Sequence, residues 1–302
     1  MTIDIAGAPV SFGVFELTDP AAMAHLPGPD RVVDVLAGAG YTGVDLGPIG
    51  FLGRGAVLRE RLRRSGLTLC GGWIDLPFSD DDRFAAELPG LDDALDVFAD
   101  AADPAARGAK PTLADSGDDV RRANPGGGPG LSLTGERLRT FARNVAAAAL
   151  RIRDRGFEPT FHHHVGTYVE TPDEIDAFLE VSDVGLTLDT GHLLLGGGDP
   201  LAGWRRWSSR IDHVHLKDVD LAVLDAVRAR RGSMVDVWAS RAFVPLGEGD
   251  LDVAGIVHAV QDDGYDGWVV IEQDVLPTGD VPVAVLEQDQ IVNIRRLREL
   301  LR

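Results

Sequence analysis

Residues 157–192, "FEPTFHHHVGTYVETPDEIDAFLEVSDVGLTLDTGH", decide how this chain folds. The first eight residues are β-rich and end in three consecutive histidines, His162, His163 and His164. On a strand, alternate side chains face opposite sides. His162 and His164 then share one face, and His163 takes the other. Thr171 is placed to cap a helix over residues 171–181, with Pro172 at its first position. Residues 184–190, "VGLTLDT", form the next strand, which carries Asp189 to its end, and His192 follows. Strand, turn, helix and strand in this order form one β/α repeat.

The same alternation extends in both directions. Strands are expected at residues 3–13 (with the following loop), 41–47, 67–73, 110–115, 157–164, 184–190, 213–218 and 268–274. Helical patterns separate most of them. One spans "DDRFAAELPGLDDALDVFADAAD", with a break near Pro89 and Gly90. Another runs from Thr134 to Gly156, and a last one closes the chain. Residues 116–133, rich in Gly, Pro and Asp, read as a surface loop that either is flexible or covers a site. Eight β-rich runs in 302 residues predict a single-domain α/β fold, the (β/α)₈ TIM barrel, over residues 1–302. A doubly wound open sheet fits less well, because no G-x-G-x-x-G follows the first strand. "GGGPG" (126–130) opens no helix directly and lacks a P-loop lysine, so it is a weak phosphate cradle.

Composition narrows the partners. The formal charge of −19 repels phosphate backbones and anionic lipid, which argues against nucleic acid and membrane. It also serves solubility. The hydrophobic share of 44% is ordinary for a globular chain. Cys70 is the sole cysteine, so no intrachain disulfide forms, and its setting "LTLCGGW" makes it a small core residue. The N-terminus lacks a basic region ahead of an apolar run, and no stretch approaches a membrane span. A cytoplasmic protein acting on a small molecule is expected. A homo-oligomer is compatible with the sequence, which leaves the oligomeric state open.

In such a barrel the active site lies at the C-terminal ends of the strands. Six of the eight histidines fall between residues 162 and 215, close to those ends. Strand six brings Asp189 and His192, strand seven His213, His215, Lys217 and Asp218, and strand eight Glu272, Gln273 and Asp274. Taken singly, Asp189 reads as a helix cap, the histidines as satisfied core groups, and Lys217 with Asp218 as a surface ion pair. Four successive strands delivering His, Asp, His and Glu to one rim instead suit a divalent metal with mixed N/O ligands. Parity groups His213, His215 and Lys217, and separately Glu272 with Asp274. The expected ligands are Asp189, His215 and Glu272 with either His162 or His164. The other of those two imidazoles would contact substrate, and His163 would pack toward the helices.

These motifs resemble the xylose isomerase-like TIM-barrel superfamily, and within it the myo-inosose-2 dehydratase branch. The stretches that carry the resemblance are "HHHVGTYVET", "LTLDTGHLLLGGGDP", "RIDHVHLKDV", "FVPLGEGDLD" and "GYDGWVVIEQD". They span most of the second half. "APVSFGVFE" and "YTGVDLGPIGFLG" match the first two strand ends more weakly. The superfamily holds a divalent ion through Glu, Asp, His and Glu. Asp189, His215 and Glu272 take the last three positions here, and His162 takes the first, where sugar epimerases carry glutamate. The triple histidine is shared with the dehydratases. "SFGVFE" and "VLPTG" differ from the corresponding dehydratase segments, and both fall near the substrate. The superfamily's three-metal endonucleases are disfavoured by the acidic charge.

The resemblance implies dehydration of a cyclic polyol ketone such as 2-keto-myo-inositol through an enediolate stabilised by a Lewis-acidic ion. The ion would be manganese or cobalt, with zinc and magnesium as alternatives. Glu272 is the candidate base, and His164, His192 and Lys217 are the candidates for giving a proton or orienting hydroxyls. Glu16, Asp45, Trp73, His164, Asp218 and Asp274 are the candidate substrate contacts. The rival activities are a ketose isomerase or epimerase and a non-catalytic polyol-binding protein.

Overall fold

The structure is a computed structural model that describes residues 3–14, 25–128, 130–276 and 281–302. Glu16 lies outside the described residues. Eight parallel strands close into a barrel. They are β1 (Asp4–Gly7), β2 (Gly43–Asp45), β3 (Thr68–Leu76), β4 (Lys110–Asp115), β5 (Thr160–His162), β6 (Gly185–Asp189), β7 (Ile211–Leu216) and β10 (Trp268–Ile271). Each pairs with the next in the chain, and β1 pairs with β10 to close the ring. All eight expected strands are present. Several end earlier than expected: β5 stops at His162 and β10 at Ile271, so His163, His164 and the Glu272–Asp274 run lie just past the ladder. Among the described residues, no helix is long and apolar enough to cross a membrane.

The helices form where capping and periodicity call for them. Thr171 and Glu174 make a reciprocal capping box at the start of helix Pro172–Val181, which satisfies two otherwise orphaned N–H groups. The long helical pattern before β4 breaks as expected, into Asp81–Glu87 and Leu91–Ala101 with a 3₁₀ turn at Leu88–Gly90. Helices Gly135–Asp154 and Pro172–Val181 flank β5. Phe161 points out into them and stacks on Phe178 with ring centroids 4.1 Å apart, beside Phe141 at 6.0 Å. This apolar cluster determines which way the strand faces. A slip of one residue would put an imidazole among the phenylalanines and Phe161 in the barrel.

Two features depart from the sequence reading. Residues 116–133 are not a free loop. They contain helix Asp119–Arg122, and its Arg121 guanidinium is buried between Glu170 and Glu174. After β7 the chain makes an unforeseen excursion, an antiparallel ribbon of β8 (Asp218–Val219) and β9 (Phe243–Val244) joined through helices Leu221–Ala229 and Met234–Ala239.

Candidate active site

Strand register sets the levels of the site. His162 lies beside Thr187 and Thr187 beside His213, while one level higher Asp189 lies beside His215. Glu272 follows β10, tied by its backbone N–H to the carbonyl of Leu216 at 3.2 Å. Space inside this level depends on Gly71 of β3. A Cβ there would stand 3.2 Å from His213 Nε2 and 3.4 Å from Asp45 Oδ2.

The donors converge. His162 Nε2 is 3.3 Å from Asp189 Oδ2, His215 Nδ1 is 3.7 Å from the same oxygen, and His215 Nδ1 is 3.0 Å from Glu272 Oε2. Ligand atoms of His162, Asp189 and His215 all lie within 4.8 Å of one another, as do those of Asp45, His215 and Glu272. Donors held about 2.0–2.2 Å from one ion stand roughly 3–4 Å apart, so each trio has spacing that suits a divalent cation, and the two trios meet at His215. Among the described residues, His215 Nε2 is buried without a partner, and His215 Nδ1 and Asp189 Oδ2 have ion-pair contacts but no well-formed hydrogen bond. Buried polar atoms left so are costly, and coordination suits donors of this kind. A third group, His164, His192 and Asp274, is also close enough for a metal. There, however, Asp274 already uses Oδ1 on Lys217 at 2.7 Å and Oδ2 on His192 Nε2 at 3.2 Å.

Lys217 organises the charges. Its ammonium lies 2.7 Å from Asp274, 2.9 Å from Glu272 and 3.2 Å from Asp189. Burial works against that charge, but the three carboxylates outweigh it and hold the lysine well above its ordinary pKa. Burial alone would raise Glu272. The neighbouring His215 and Lys217 reverse this and keep it ionised. Asp189 is likewise held well below the usual carboxylate range, since Lys217 and His192 outweigh its burial. Asp45 goes the other way, to about 6, through burial and the Glu272 charge.

The three histidines separate. His162 and His164 both line a cavity of about 250 Å³ at the rim. His164 Nδ1 is 2.8 Å from the carbonyl of Val165. A carbonyl only accepts, so Nδ1 carries the proton, and Nε2 keeps its lone pair in the neutral ring. His163 is turned away from the cavity, as parity requires. Its partner is not a helix but the backbone N–H of Asp189, which donates to Nε2 at 3.1 Å. Burial and the neighbouring His162 lower His163 to about 3, so it remains a neutral acceptor.

The other sequence candidates divide. Asp45, Trp73, Lys217, Glu272 and Asp274 line the cavity. His192 stands behind the wall, its ring 3.6 Å from that of His164, and bonds Asp274. Asp218 is not at the cavity. Its carboxylate accepts four backbone N–H groups, from Val219, Gly247, Gly249 and Leu251, at 2.6–3.1 Å. It pins the turn after β9, so a substrate role finds no free oxygen. The structure adds Asp75, Asp115, Arg122 and Trp238 to the wall. Asp115 ends β4 and was legible as a strand-end carboxylate; Arg122 and Trp238 carry no local signal.

The geometry agrees with comparisons to known proteins. The chain is 31% identical over 297 residues to the rhizopine catabolism protein MocC of Rhizobium meliloti, covering 94% of this chain and 85% of that one. It is 31% identical over 256 residues to the inosose dehydratase of Geobacillus kaustophilus, covering 82% and 80%. Matches to the inosose dehydratases of Clostridium tetani and Lacticaseibacillus casei span 51% and 44% of those chains. Among solved structures, D-allulose 3-epimerase from Methylomonas sp. superposes with a TM-score of 0.67 at 16% identity, covering 99% of this chain and 98% of that one. The family model described as xylose isomerase-like TIM barrel matches residues 33–289. With its closed barrel and its polar cluster at the strand ends, this chain belongs to the xylose isomerase-like TIM barrel family.

Proposed function

We propose that this chain is a divalent-metal-dependent dehydratase of a cyclic polyol ketone of the 2-keto-myo-inositol type. The observation that supports the reading is the cluster of His162, Asp189 and His215, with Glu272 3.0 Å from His215, beside a cavity lined by more carboxylates than cations. Among the described residues the cavity wall carries two strong cations, Lys217 and Arg122. Lys217 faces three carboxylates. Arg122 donates to the carbonyl of Ser116 at 2.8 Å and to Asp119 at 3.1 Å. Residues 15–24 and 277–280 contain no lysine or arginine. A neutral polyol suits this wall better than a sugar phosphate. The relatives named inosose dehydratase support the same substrate class.

His162, Asp189, His215 and Glu272 would hold the ion. When bound, it supplies Lewis acidity to a ketone and its neighbouring hydroxyl, which stabilises negative charge on those oxygens. We assign removal of the α-proton to Glu272, which His215 and Lys217 keep ionised. The free Nε2 of His164 accepts a hydrogen bond from a substrate hydroxyl and orients it. Lys217, surrounded by three acceptors, acts as a fixed counter-charge that keeps Asp189, Glu272 and Asp274 together. Trp73, Trp238 and Val165 on the wall offer an apolar face to the ring C–H groups.

The test is a metal-reconstituted assay of 2-keto-myo-inositol against a panel of ketoses, with products weighed by mass spectrometry. Loss of one water is the expected result. Products of unchanged mass with altered stereochemistry would make the chain an epimerase or isomerase. Binding without turnover under every metal tried would make it a binding protein.

A further inference from the structure

The reading above leaves one proton unassigned. A hydroxyl leaves as water only if an acid protonates it, and Lys217 is committed to three carboxylates. The cavity wall carries another carboxyl outside the ligand cluster. Asp115 sits at the end of β4, fully buried, on the wall of the cavity. Its Oδ2 is held by the backbone N–H of Tyr168 at 3.1 Å, and the nearby N–H of Gly117 favours the ionised carboxyl. Its Oδ1 is buried and, among the described residues, has no hydrogen-bond partner. A carboxyl anchored through one oxygen with the other unpaired is built to carry a proton at a defined place.

Burial above all, and the surrounding charges after it, favour that protonated form. Asp75 on β3 and Asp118 in the following turn both bring negative charge toward it. Asp75 is bonded to Ser116 and Trp73, and Asp118 to the Tyr168 hydroxyl. The nearby cation Arg122 is turned to Ser116 and Asp119. Burial, partly offset by the two backbone N–H groups, raises Asp115 to about 7.

We propose that Asp115 is the general acid that delivers a proton to the departing β-hydroxyl. The proposal rests on the dehydratase reading. The electrons of the α C–H bond become the new C=C bond, and the C–O bond breaks with its pair on oxygen. The Asp115 proton passes to that oxygen, water departs, and the Asp115 carboxylate takes a proton back from solvent. No oxidant or reductant is consumed.

The experiment separates the two half-steps in metal-loaded enzyme. Exchange of the substrate α-hydrogen in D₂O reports C–H cleavage, and water loss reports elimination. Asp115→Asn keeps an oxygen for the Tyr168 N–H but has no proton of suitable acidity to give. It should exchange within about threefold of wild type and eliminate water roughly 10²–10⁴-fold more slowly. Asp115→Glu should recover part of the loss. A substrate with fluoride in place of the β-hydroxyl needs little proton assistance, so Asp115→Asn should expel fluoride at close to the wild-type rate. The exchange rate also shows that each variant is folded. The proposal is overturned if Asp115→Asn eliminates water at the wild-type rate. It is also overturned if exchange and elimination fall together in both variants while metal content is retained. A wild type that neither exchanges nor eliminates would instead sink the dehydratase reading itself.

Discussion

The buried ion cluster that ties helix Asp119–Arg122 and Ser132 to Glu170 and Glu174 supports a quantitative prediction. Arg121 is 1% exposed. It donates to Glu174 through both Nη atoms at 2.9 Å and to Glu170 at 3.0 Å. Glu170 also accepts the N–H of Gly166 at 2.9 Å, and Glu174 accepts the Ser132 hydroxyl at 2.7 Å. One guanidinium therefore ties the turn after β4 to the segment that follows the three histidines. Arg121→Met removes the cation and leaves two carboxylates facing each other away from water. Breaking a buried pair in this way costs about 3–5 kcal/mol. Glu170 limits the loss. Burial already raises it to about 7 beside Arg121, so it protonates readily once the cation is gone, and the lower end of the range is expected near neutral pH. Guanidinium unfolding followed by circular dichroism gives the stability change, and limited proteolysis gives the local one, with cleavage concentrated within residues 119–128. The triple variant Arg121→Met, Glu170→Gln, Glu174→Gln should regain most of the loss, because no charge is left buried. If Arg121→Met unfolds within about 0.5 kcal/mol of wild type and resists protease equally, the cluster does not hold this segment down and the reasoning fails.

Three further outcomes are expected. Asp189→Ala and Glu272→Ala should lose tightly held divalent metal, measured by elemental analysis after dialysis; full metal content in both variants would exclude the proposed ligand set. His163→Leu leaves the buried Asp189 N–H without an acceptor and should cost about 1–3 kcal/mol, whereas His162→Gln should weaken metal binding; the reverse pattern would mean the strand faces the other way. Because the folded pKa of Asp115, about 7, lies above its unfolded value, the native state binds more protons. Wild-type stability relative to Asp115→Asn should therefore be greatest below about pH 4 and fall as pH rises through 7; parallel denaturation midpoints from pH 4 to pH 8 would contradict this.

Much of the barrel is written locally. Apolar alternation, the capping pair Thr171 and Glu174, and the break at Pro89 each act within a few residues, so the strands and several helices can be read one at a time. That His162, Asp189, His215 and Glu272 all come to one rim is also legible, because parallel strands in a barrel all end at the same rim. That topology converts residues far apart in the chain into neighbours without any further information. Parity does the rest for His163, whose outward direction is shared with Phe161, two residues earlier, which packs into the phenylalanine cluster.

Tertiary structure decided what depends on long-range partners. Nothing near Asp218 announces that the N–H groups of Gly247, Gly249 and Leu251 will occupy its carboxylate; in sequence it is simply another strand-end acid. Arg121 and Glu174 are separated by 53 positions, within a stretch whose glycines and prolines suggest freedom. The free Nε2 of His164 follows from one carbonyl contact, and the unpaired oxygen of Asp115 from the placement of Tyr168. Local sequence sets which backbone conformation a segment prefers and which face it hides. Whether a buried polar atom is satisfied depends on which distant groups the closed barrel brings within hydrogen-bond range, and that is settled only when the whole chain has packed.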